Sequence, residues 1–387
     1  MKKIFKFIIL FLLAFVMLEP KSVSADGDFQ MEGSKLVKYT GTSSSVAIPD
    51  SVTTVGVNAF TKNTNLKVVY FPDTVTTIEA GAFEYCLNLE AVKLPSSLRT
   101  IEFLAFRGCE KLSSVDLPQN LISIGADAFM QCQSLTEVTI PASTAFLEYG
   151  VFAGCANLKA IHVENGNKQY CESDGILYTA DMQTLVQYPN GKNEVDVVIK
   201  DGVRRIERAS IYENYTIETI KLPETLNTIG IYAFKDCHLL ETIELPNNVG
   251  KVEEHAFANC YNLKKVIVNN SATSFDAAVF ENDMDVVLYA PAGSAAESYS
   301  ASKGLNFEIL KEDEAVEEDA SEKAETEEAV PTNSSVETPN VTAEPAETDL
   351  TGAEETTHPL FYVFVVTAVL SLAGIIVIRR KLKEYED

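Results

Sequence analysis

The sequence predicts a repeat solenoid of short stacked strands, followed by a polar tether. Three observations predict this architecture: like side chains recur every 23 residues, apolar columns run through every unit, and long uncharged segments lie only near the two ends. A unit of 23 residues cannot bury its apolar set alone, whereas stacked units share one continuous core. A length of 387 residues would allow two or three ordinary domains, but the repeat favours a single array.

Three residue types keep the 23-residue step, lose it once and then resume it. The prolines are Pro49, Pro72, Pro95, Pro118, Pro141, Pro223 and Pro246; the phenylalanines are Phe60, Phe83, Phe106, Phe129, Phe152, Phe234, Phe257 and Phe280; the cysteines are Cys86, Cys109, Cys132, Cys155, Cys237 and Cys260. Counting from position 49 to the last unit at 269 gives nine units. The fifth unit is 59 residues long, so it carries an insert of 36 residues.

Within a unit, an alternating segment such as Leu89 to Leu94 precedes the proline and predicts a short strand, because proline cannot donate to a strand ladder. The Ala-Phe-x-x-Cys segment predicts a turn or a short helix. Apolar columns, one from Val55 to Phe275 and one from Leu66 to Val286, predict the core. Residues 289–310 predict a strand and a closing helix that cap the array.

The repeated motif, as in residues 117–135, resembles the BspA-like (Treponema-type) leucine-rich repeats, whose period lies in the range of 20 to 29 residues. The resemblance covers about residues 46–310. It implies an α/β-type, curved leucine-rich-repeat solenoid of about nine 23-residue units, in which the insert at about 164–199 is a β-hairpin insertion. It also implies a surface-exposed adhesion or binding protein of a host-associated bacterium.

The two ends predict the compartment. Residues 1–25 combine a charged start, an apolar stretch and a small-residue cleavage site, which indicates a signal peptide; a retained anchor is the alternative. Residues 359–378 are long enough to span a bilayer, and the basic tail at 379–387 places that side in the cytoplasm. We therefore expect a single-pass protein of a Gram-positive cell surface, with the solenoid (26–310) outside. A cell-wall sorting signal is the alternative, although its Leu-Pro-x-Thr-Gly box is missing.

The acidic charge is concentrated in one segment. The chain carries 56 acidic and 31 basic residues, a net charge of -25, and residues 311–357 contribute 16 acids against 2 lysines. The composition of residues 311–358, with few large apolar side chains, predicts a disordered stalk. So acidic a chain repels phosphate backbones, which excludes a nucleic-acid partner.

Candidate chemistry is sparse. The histidines at 162, 238, 255 and 358 share no column, and none of the usual hydrolase or phosphate-binding motifs is present, so we expect no catalysis and no cofactor. We expect the cysteine column to form a buried ladder of small side chains instead of a metal site. A glutamate column that includes Glu79 and Glu102 could hold calcium, but a solvated turn edge is the favoured interpretation. Three insert tyrosines, Tyr170, Tyr178 and Tyr188, are interpreted as hairpin packing.

The outward strand positions are the predicted ligand-binding surface, because solenoids bind through extended sheet faces. They are Tyr70, Lys93, Asp116, Thr139, His162, Lys221, Glu244 and Ile267. The resulting hypothesis is a membrane-anchored, adhesin-like binding protein whose ligand is a protein or a glycan, such as host matrix, mucin or wall polymer. The alternative is a structural spacer that packs on wall polymer or on its own copies. The sequence leaves the ligand and the oligomeric state open.

Overall fold

The computed structural model describes residues 26–283 and 285–311. They form a β-solenoid of about twelve turns, so the predicted stacked architecture is confirmed. The number of turns exceeds the nine units because the N-terminal segment, the insert and the C-terminal segment each add strands to the stack. Within the described ranges no helix is long and apolar enough to cross a membrane. The predicted signal peptide, membrane segment and cytoplasmic tail, and all of the stalk except Lys311, lie outside them.

The first array (residues 29–163) contains an N-terminal cap and the first five units. Its strands are β1 (Phe29–Glu32), β2 (Lys35–Tyr39), β3 (Ser45–Ala47), β4 (Thr54–Val55), β5 (Val68–Tyr70), β6 (Thr77–Ile78), β7 (Ala91–Lys93), β8 (Thr100–Ile101), β9 (Ser123–Ile124), β10 (Glu137–Ile140), β11 (Phe146–Leu147) and β12 (Ala160–Val163). One sheet has the order β1-β2-β4-β6-β8-β9-β11, and we call it the short-strand sheet. The longer strands form β3-β5-β7 and β10-β12, which we call the strand face.

The insert and the second array (residues 170–309) repeat this arrangement. The insert contributes β13 (Tyr170–Ser173), β14 (Ile176–Thr179), β15 (Thr184–Gln187), a 3-10 turn (Asn190–Lys192) and β16 (Asp196–Val198). The later elements are β17 (Arg205–Ile206), β18 (Thr219–Lys221), β19 (Thr228–Ile229), β20 (Thr242–Leu245), β21 (Lys251–Val252), β22 (Lys265–Val268), β23 (Ser274–Phe275), β24 (Val287–Ala290), α1 (Ala295–Lys303) and β25 (Asn306–Ile309). The short-strand sheet is β13-β14-β15-β17-β19-β21-β23, and the strand face is β16-β18-β20-β22-β24-β25.

Both predicted apolar columns lie in the interior. All members of the column from Leu66 to Val286 are buried, and the column from Val55 to Phe275 is buried except at Leu147 and Phe275. Those two side chains belong to the last short strand of each array, where one neighbouring unit is missing. The end position, and not the residue type, therefore explains the two exceptions.

The segments between the short strands and the longer strands are turns, which corrects the α/β-type expectation. Eight of these turns hold two residues of positive φ four positions apart, and the turn of the last unit holds one; left-handed residues cannot continue a right-handed helix. One column is Asn58, Gly81, Leu104, Asp127, Gly150, Ala209, Tyr232 and His255; the other is Lys62, Tyr85, Gly108, Gln131, Gly154, Glu213, Asp236, Asn259 and Asn282. We call this side of the solenoid the turn edge.

The backbone hydrogen bonds that join successive turns on the turn edge all run from an N–H group of one unit to a carbonyl of the next. The N–H groups of Asn58, Phe60 and Lys62 donate to carbonyls of the next unit over 3.0, 2.7 and 2.7 Å, and later units repeat the pattern. It stops after the fifth unit: in the described part of the chain, the N–H groups of Gly150 and Phe152, like that of Gly154, have no acceptor in the sixth unit. The turn edge therefore has a seam between the arrays.

The insert starts the second array in the way that the N-terminal cap starts the first. Leu36 of β2 pairs with Val55, and Tyr39 then donates its N–H to the carbonyl of Ala59. Three residues likewise separate Leu185 of β15, which pairs with Ile206, from Tyr188, which donates to Ser210. The two segments read Leu-Val-Lys-Tyr (36–39) and Leu-Val-Gln-Tyr (185–188). The insert is thus a second cap, and the buried side chains form two separate core clusters.

Candidate functional site

The predicted strand-face residues lie at the surface, but they do not form one continuous row. Tyr70 stands opposite Lys93 on β5 and β7, and Thr139 stands opposite His162 on β10 and β12. Asp116 is exposed but lies outside any strand. Its segment, residues 113–118, contains this aspartate and ends in Pro118, and both residue types are disfavoured in strands. The row is therefore interrupted between Lys93 and Thr139.

The second array carries the longest uninterrupted part of the strand face. Lys221 and Glu244 lie on the neighbouring strands β18 and β20, and Glu244 stands opposite Ile267. The insert extends this row, because Val198 of β16 pairs with Lys221 and is 68% exposed. Sequence reasoning treated the insert as a hairpin and so missed that it also lengthens the strand face.

Several strand-face side chains take no part in holding the fold together. In residues 26–283 and 285–311, the side chains of Lys93, Thr139 and His162, and that of Lys221, make no hydrogen bond or ion pair within the chain. Glu244 is different, since its Oε1 accepts a hydrogen bond from Asn269 Nδ2 at 2.7 Å. Polar groups that the fold leaves unused can pair with a ligand without breaking an internal contact.

The glutamate column has a structural role. Carboxylates of Glu79, Glu102, Glu148 and Glu253 each accept a hydrogen bond from a backbone N–H of the preceding unit, over 3.0 to 3.2 Å. Among the described residues no group of acidic, histidine or cysteine side chains is arranged to hold a metal ion. These carboxylates stabilise the stacking of turns, and the calcium alternative gains no support.

The cysteine column is buried and reduced, as the ladder interpretation predicts. All seven cysteines are free thiols, and six of them are buried. Each thiol in the column donates to the carbonyl of a Phe-column residue 26 positions earlier, for example Cys109 Sγ to Phe83 O at 3.3 Å. Burial raises the pKa of Cys86 and Cys237 to about 12, so these thiols stay protonated and unreactive.

The insert tyrosines serve packing and edge protection. Tyr178 and Tyr188 are 1% exposed, so neither presents its ring to solvent. The hydroxyl of Tyr170 accepts a hydrogen bond from the N–H of Leu147 at 2.8 Å. It thereby covers the edge of β11, where the short-strand sheet of the first array ends.

A surface that sequence reasoning missed lies on the turn edge of the second array. Tyr215, His238 and Tyr261 occupy the same position in three successive units, and their ring centroids are 5.1 Å apart in each pair. We call these three residues the aromatic column. Tyr215 is 48% and Tyr261 54% exposed. The sequence does contain a signal for this column: aromatic side chains recur at the position directly after the cysteine column in three successive units. At that position the first array has Thr64, Leu87, Glu110, Gln133 and Ala156.

Cationic side chains already stack on aromatic rings close to this column. The guanidinium of Arg208 lies 4.1 Å from the ring centroid of Tyr149 and 5.2 Å from that of Tyr232. Lys235 Nζ lies 5.5 Å from the Tyr232 ring. The Arg208–Tyr149 contact also crosses the seam, as does the hydrogen bond from Gln131 Nε2 to Glu213 Oε1 at 2.9 Å. Side chains thus replace the missing backbone hydrogen bonds there.

The described histidines are engaged in different places. His162 lies on the strand face, and His238 lies in the aromatic column with Nε2 at 3.8 Å from Asp236 Oδ1. The ring of His255 stacks on Tyr232, and its Nδ1 lies 3.1 Å from a carboxylate oxygen of Glu281. His358 lies outside the described residues. The structure thus brings no two of the described histidines into one polar cluster.

Comparison with known families decides what these repeats are. Six copies of the BspA-type leucine-rich repeat region match residues 33–159 and 190–287. The chain belongs to the BspA-type leucine-rich repeat family. Proteins with BspA-type repeats are typically non-catalytic scaffolds found at the cell surface. No curated protein matches the sequence.

Solved structures agree on the fold of this BspA-type protein. A leucine-rich repeat protein from Eubacterium ventriosum is 22% identical with a TM-score of 0.59, over 66% of this chain and 77% of that one. The pneumococcal vaccine antigen PcpA is 20% identical with a TM-score of 0.50, over 76% of this chain and 100% of that one. At such identities the similarity establishes the fold alone.

Proposed function

We propose that this BspA-type protein is a non-catalytic, adhesin-like receptor of a cell surface that binds a protein ligand through the strand face. The observation that carries the proposal is the set of exposed polar side chains that the fold does not use, among them Lys93, His162 and Lys221. Neighbouring parallel strands lie about 4.8 Å apart, so each stretch of the strand face can make an extended contact with another protein.

The surface location extends this proposal. A signal peptide at 1–25, an acidic stalk at 311–358 and a single membrane span at 359–378 would leave residues 26–310 outside the cell. Protease treatment of wall-free protoplasts that express the full chain should release peptides from the solenoid. Release only after the cells are lysed would contradict this topology.

Binding to defined ligands tests the function itself. The purified full chain is applied to immobilised matrix proteins, mucins and peptidoglycan, beside a variant with Lys93→Ser, His162→Ser and Lys221→Ser. We expect saturable binding to a matrix protein or mucin, weakened at least about tenfold by the three substitutions, since several interface contacts of about 1 kcal/mol or more are lost. Binding to peptidoglycan alone, or to other copies of the chain, would favour the structural spacer. A matrix ligand held equally well by the variant would remove the strand face from the proposal.

A further inference from the structure

Acidic residues flank the first two members of the aromatic column, whereas Tyr261 has Asn259 and Lys264 at the equivalent positions. Glu213 and Asp236 precede Tyr215 and His238 by two residues, and Glu218 and Glu241 follow them by three. Glu218 and Glu241 are exposed and lie in neighbouring units, because the N–H of Glu241 donates to the carbonyl of Glu218 at 3.1 Å. Burial first, and then the charges of Glu213 and Asp236, raise the pKa of Tyr215 to about 12, which indicates that these carboxylates act on its ring.

Tyr215, the first residue of the column, is 48% exposed. In the described part of the chain, Tyr215 has one ring neighbour, His238, and no cation over its ring. Leu239, next to His238, is 38% exposed and adds apolar area to the patch. Tyrosine is enriched among the residues that dominate binding energy at interfaces. The first array has no comparable set at the equivalent positions, so the repeat itself does not require these rings.

An aromatic ring flanked by carboxylates is suited to a cation. The negative face of the ring attracts an ammonium or guanidinium group, and nearby carboxylates pair with the same charge. The same turn edge holds Arg208 over Tyr149 and Lys235 over Tyr232, which shows that its tyrosines accept cations in this geometry. Residues 26–310 carry 36 acidic and 21 basic residues, so the solenoid itself is acidic and favours the approach of a basic partner.

We propose that the column of Tyr215, His238 and Tyr261 is a second docking surface, which binds an arginine- or lysine-bearing segment of a protein partner. The cationic side chain stacks on the exposed ring of Tyr215, and the exposed carboxylates of Glu218 and Glu241 pair with it. This surface is separate from the strand face. It specifies a basic segment as its ligand, whereas the proposed function leaves the chemistry of the partner open.

The test needs probes that separate ring contacts from simple charge attraction. A fluorescent peptide of alternating glycine and arginine is titrated with the full chain at about 150 mM salt, where exposed charges more than about 8 Å apart are largely screened. A matched peptide carries citrulline in place of arginine, which keeps the shape and removes the charge. The test variant is Tyr215→Ala with Tyr261→Ala; the controls are Tyr215→Phe with Tyr261→Phe, and Tyr70→Ala on the strand face.

The expected result is a loss of affinity of about fivefold for the arginine peptide in the alanine pair, in the range of a cation–π contact. The phenylalanine pair and Tyr70→Ala should bind like the parent chain, and the citrulline peptide should bind more weakly. Equal affinity of the alanine pair and the parent would overturn the proposal, because charge alone would then explain the binding. Ring-dependent binding of a neutral chitin oligosaccharide without the arginine peptide, or ring-dependent self-association in sedimentation, would assign the surface to a different occupant. The variant with Lys93→Ser, His162→Ser and Lys221→Ser should bind the arginine peptide with the affinity of the parent chain. Failure of this second docking surface can therefore be distinguished from failure of the proposed function.

Discussion

The two arrays of this BspA-type protein are built from the same unit, yet they differ where each begins and ends. In the first, Tyr39 starts an unbroken stack of rings through Phe60 to Phe152, with adjacent centroids 4.7 to 5.7 Å apart. In the second, Tyr188 precedes Ile211, so ring-on-ring stacking of the Phe column begins only at Phe234. Both arrays nevertheless begin with a cap of the same design. A solenoid can therefore restart within a chain when a second cap is inserted.

The cost of the restart is visible at the seam. The first array ends with N–H groups at Gly150, Phe152 and Gly154 that have no acceptor in the next unit of the described chain. At the start of the second array, side chains of the insert donate hydrogen bonds to backbone carbonyls of the first turn. Gln187 Nε2 donates to Ser210 O, and Asn190 Nδ2 donates to Tyr212 O, each at 2.9 Å. Because repeats are coupled mainly to their neighbours, a weak junction should let each array respond to mutation separately.

The largest expected effect comes from removing one buried ring in each array. Phe106→Ala and Phe257→Ala delete side chains that are 0% exposed, which should lower the free energy of unfolding by about 3–5 kcal/mol. We expect Phe106→Ala to lower amide protection mainly before residue 164, and Phe257→Ala mainly after residue 176. Native-state hydrogen exchange read by mass spectrometry measures both regions in one experiment. Equal loss of protection in both arrays from either variant would show that the seam transmits stability fully.

The carboxyl of Asp283 should make the stability of the second array depend on pH. Asp283 occupies the cysteine-column position of the last unit, where the last unit of the first array has Cys155. The Asp283 side chain is 4% exposed, and burial raises its pKa from 3.8 to about 7. The folded state then holds the proton more tightly than the unfolded state, so stability falls as the pH rises from about 4 to about 7. Asp283→Asn should remove this fall, by a few kcal/mol at most, since one pKa unit is worth about 1.4 kcal/mol.

Asparagine already occupies the same position at Asn63 and Asn214, where its Oδ1 accepts backbone N–H groups two and three residues on. Urea unfolding at pH 4.5 and pH 7.5, followed separately in the two arrays, measures the effect. The exposed Asp50→Asn is the matched control in the first array. A second array whose stability changes with pH equally in the parent and in Asp283→Asn would contradict the assignment.

Much of the fold could be predicted because the repeat samples each structural position nine times. An apolar residue that recurs at 55, 78 and 101 can be placed in the core from the pattern alone, since each copy stacks on the next. The left-handed residues could not be predicted in this way. Their columns contain Leu104, Tyr232 and His255 beside glycines, so residue type there does not show the conformation.

The second cap, which the insert forms, and the aromatic column escaped prediction for a different reason. The match of Leu36–Tyr39 to Leu185–Tyr188 is four residues long and lies 149 positions apart, outside the 23-residue register. Gly33 in the first cap and Met182 in the second occupy equivalent turn positions. Both have positive φ, so the turn conformation is kept without a glycine. The aromatic column keeps the register, but it occupies a surface position that carries five other residue types in the first array. Only the structure shows that its rings stack.

The smallest effect that still separates the arrays concerns the amides of the second cap. Gln187→Met keeps the side-chain volume of a residue that is 2% exposed but removes the amide that donates to Ser210 O at 2.9 Å. Loss of a buried hydrogen bond should lower the stability of the second array by about 1–3 kcal/mol. In the first cap the same position is Lys38, which is exposed, so Lys38→Met should change stability by less than about 0.5 kcal/mol. Hydrogen exchange of residues 205–235 measures the effect of Gln187→Met, and exchange of the equivalent residues 56–86 measures that of Lys38→Met. Equal effects of the two substitutions would show that the amide does not cap the second array.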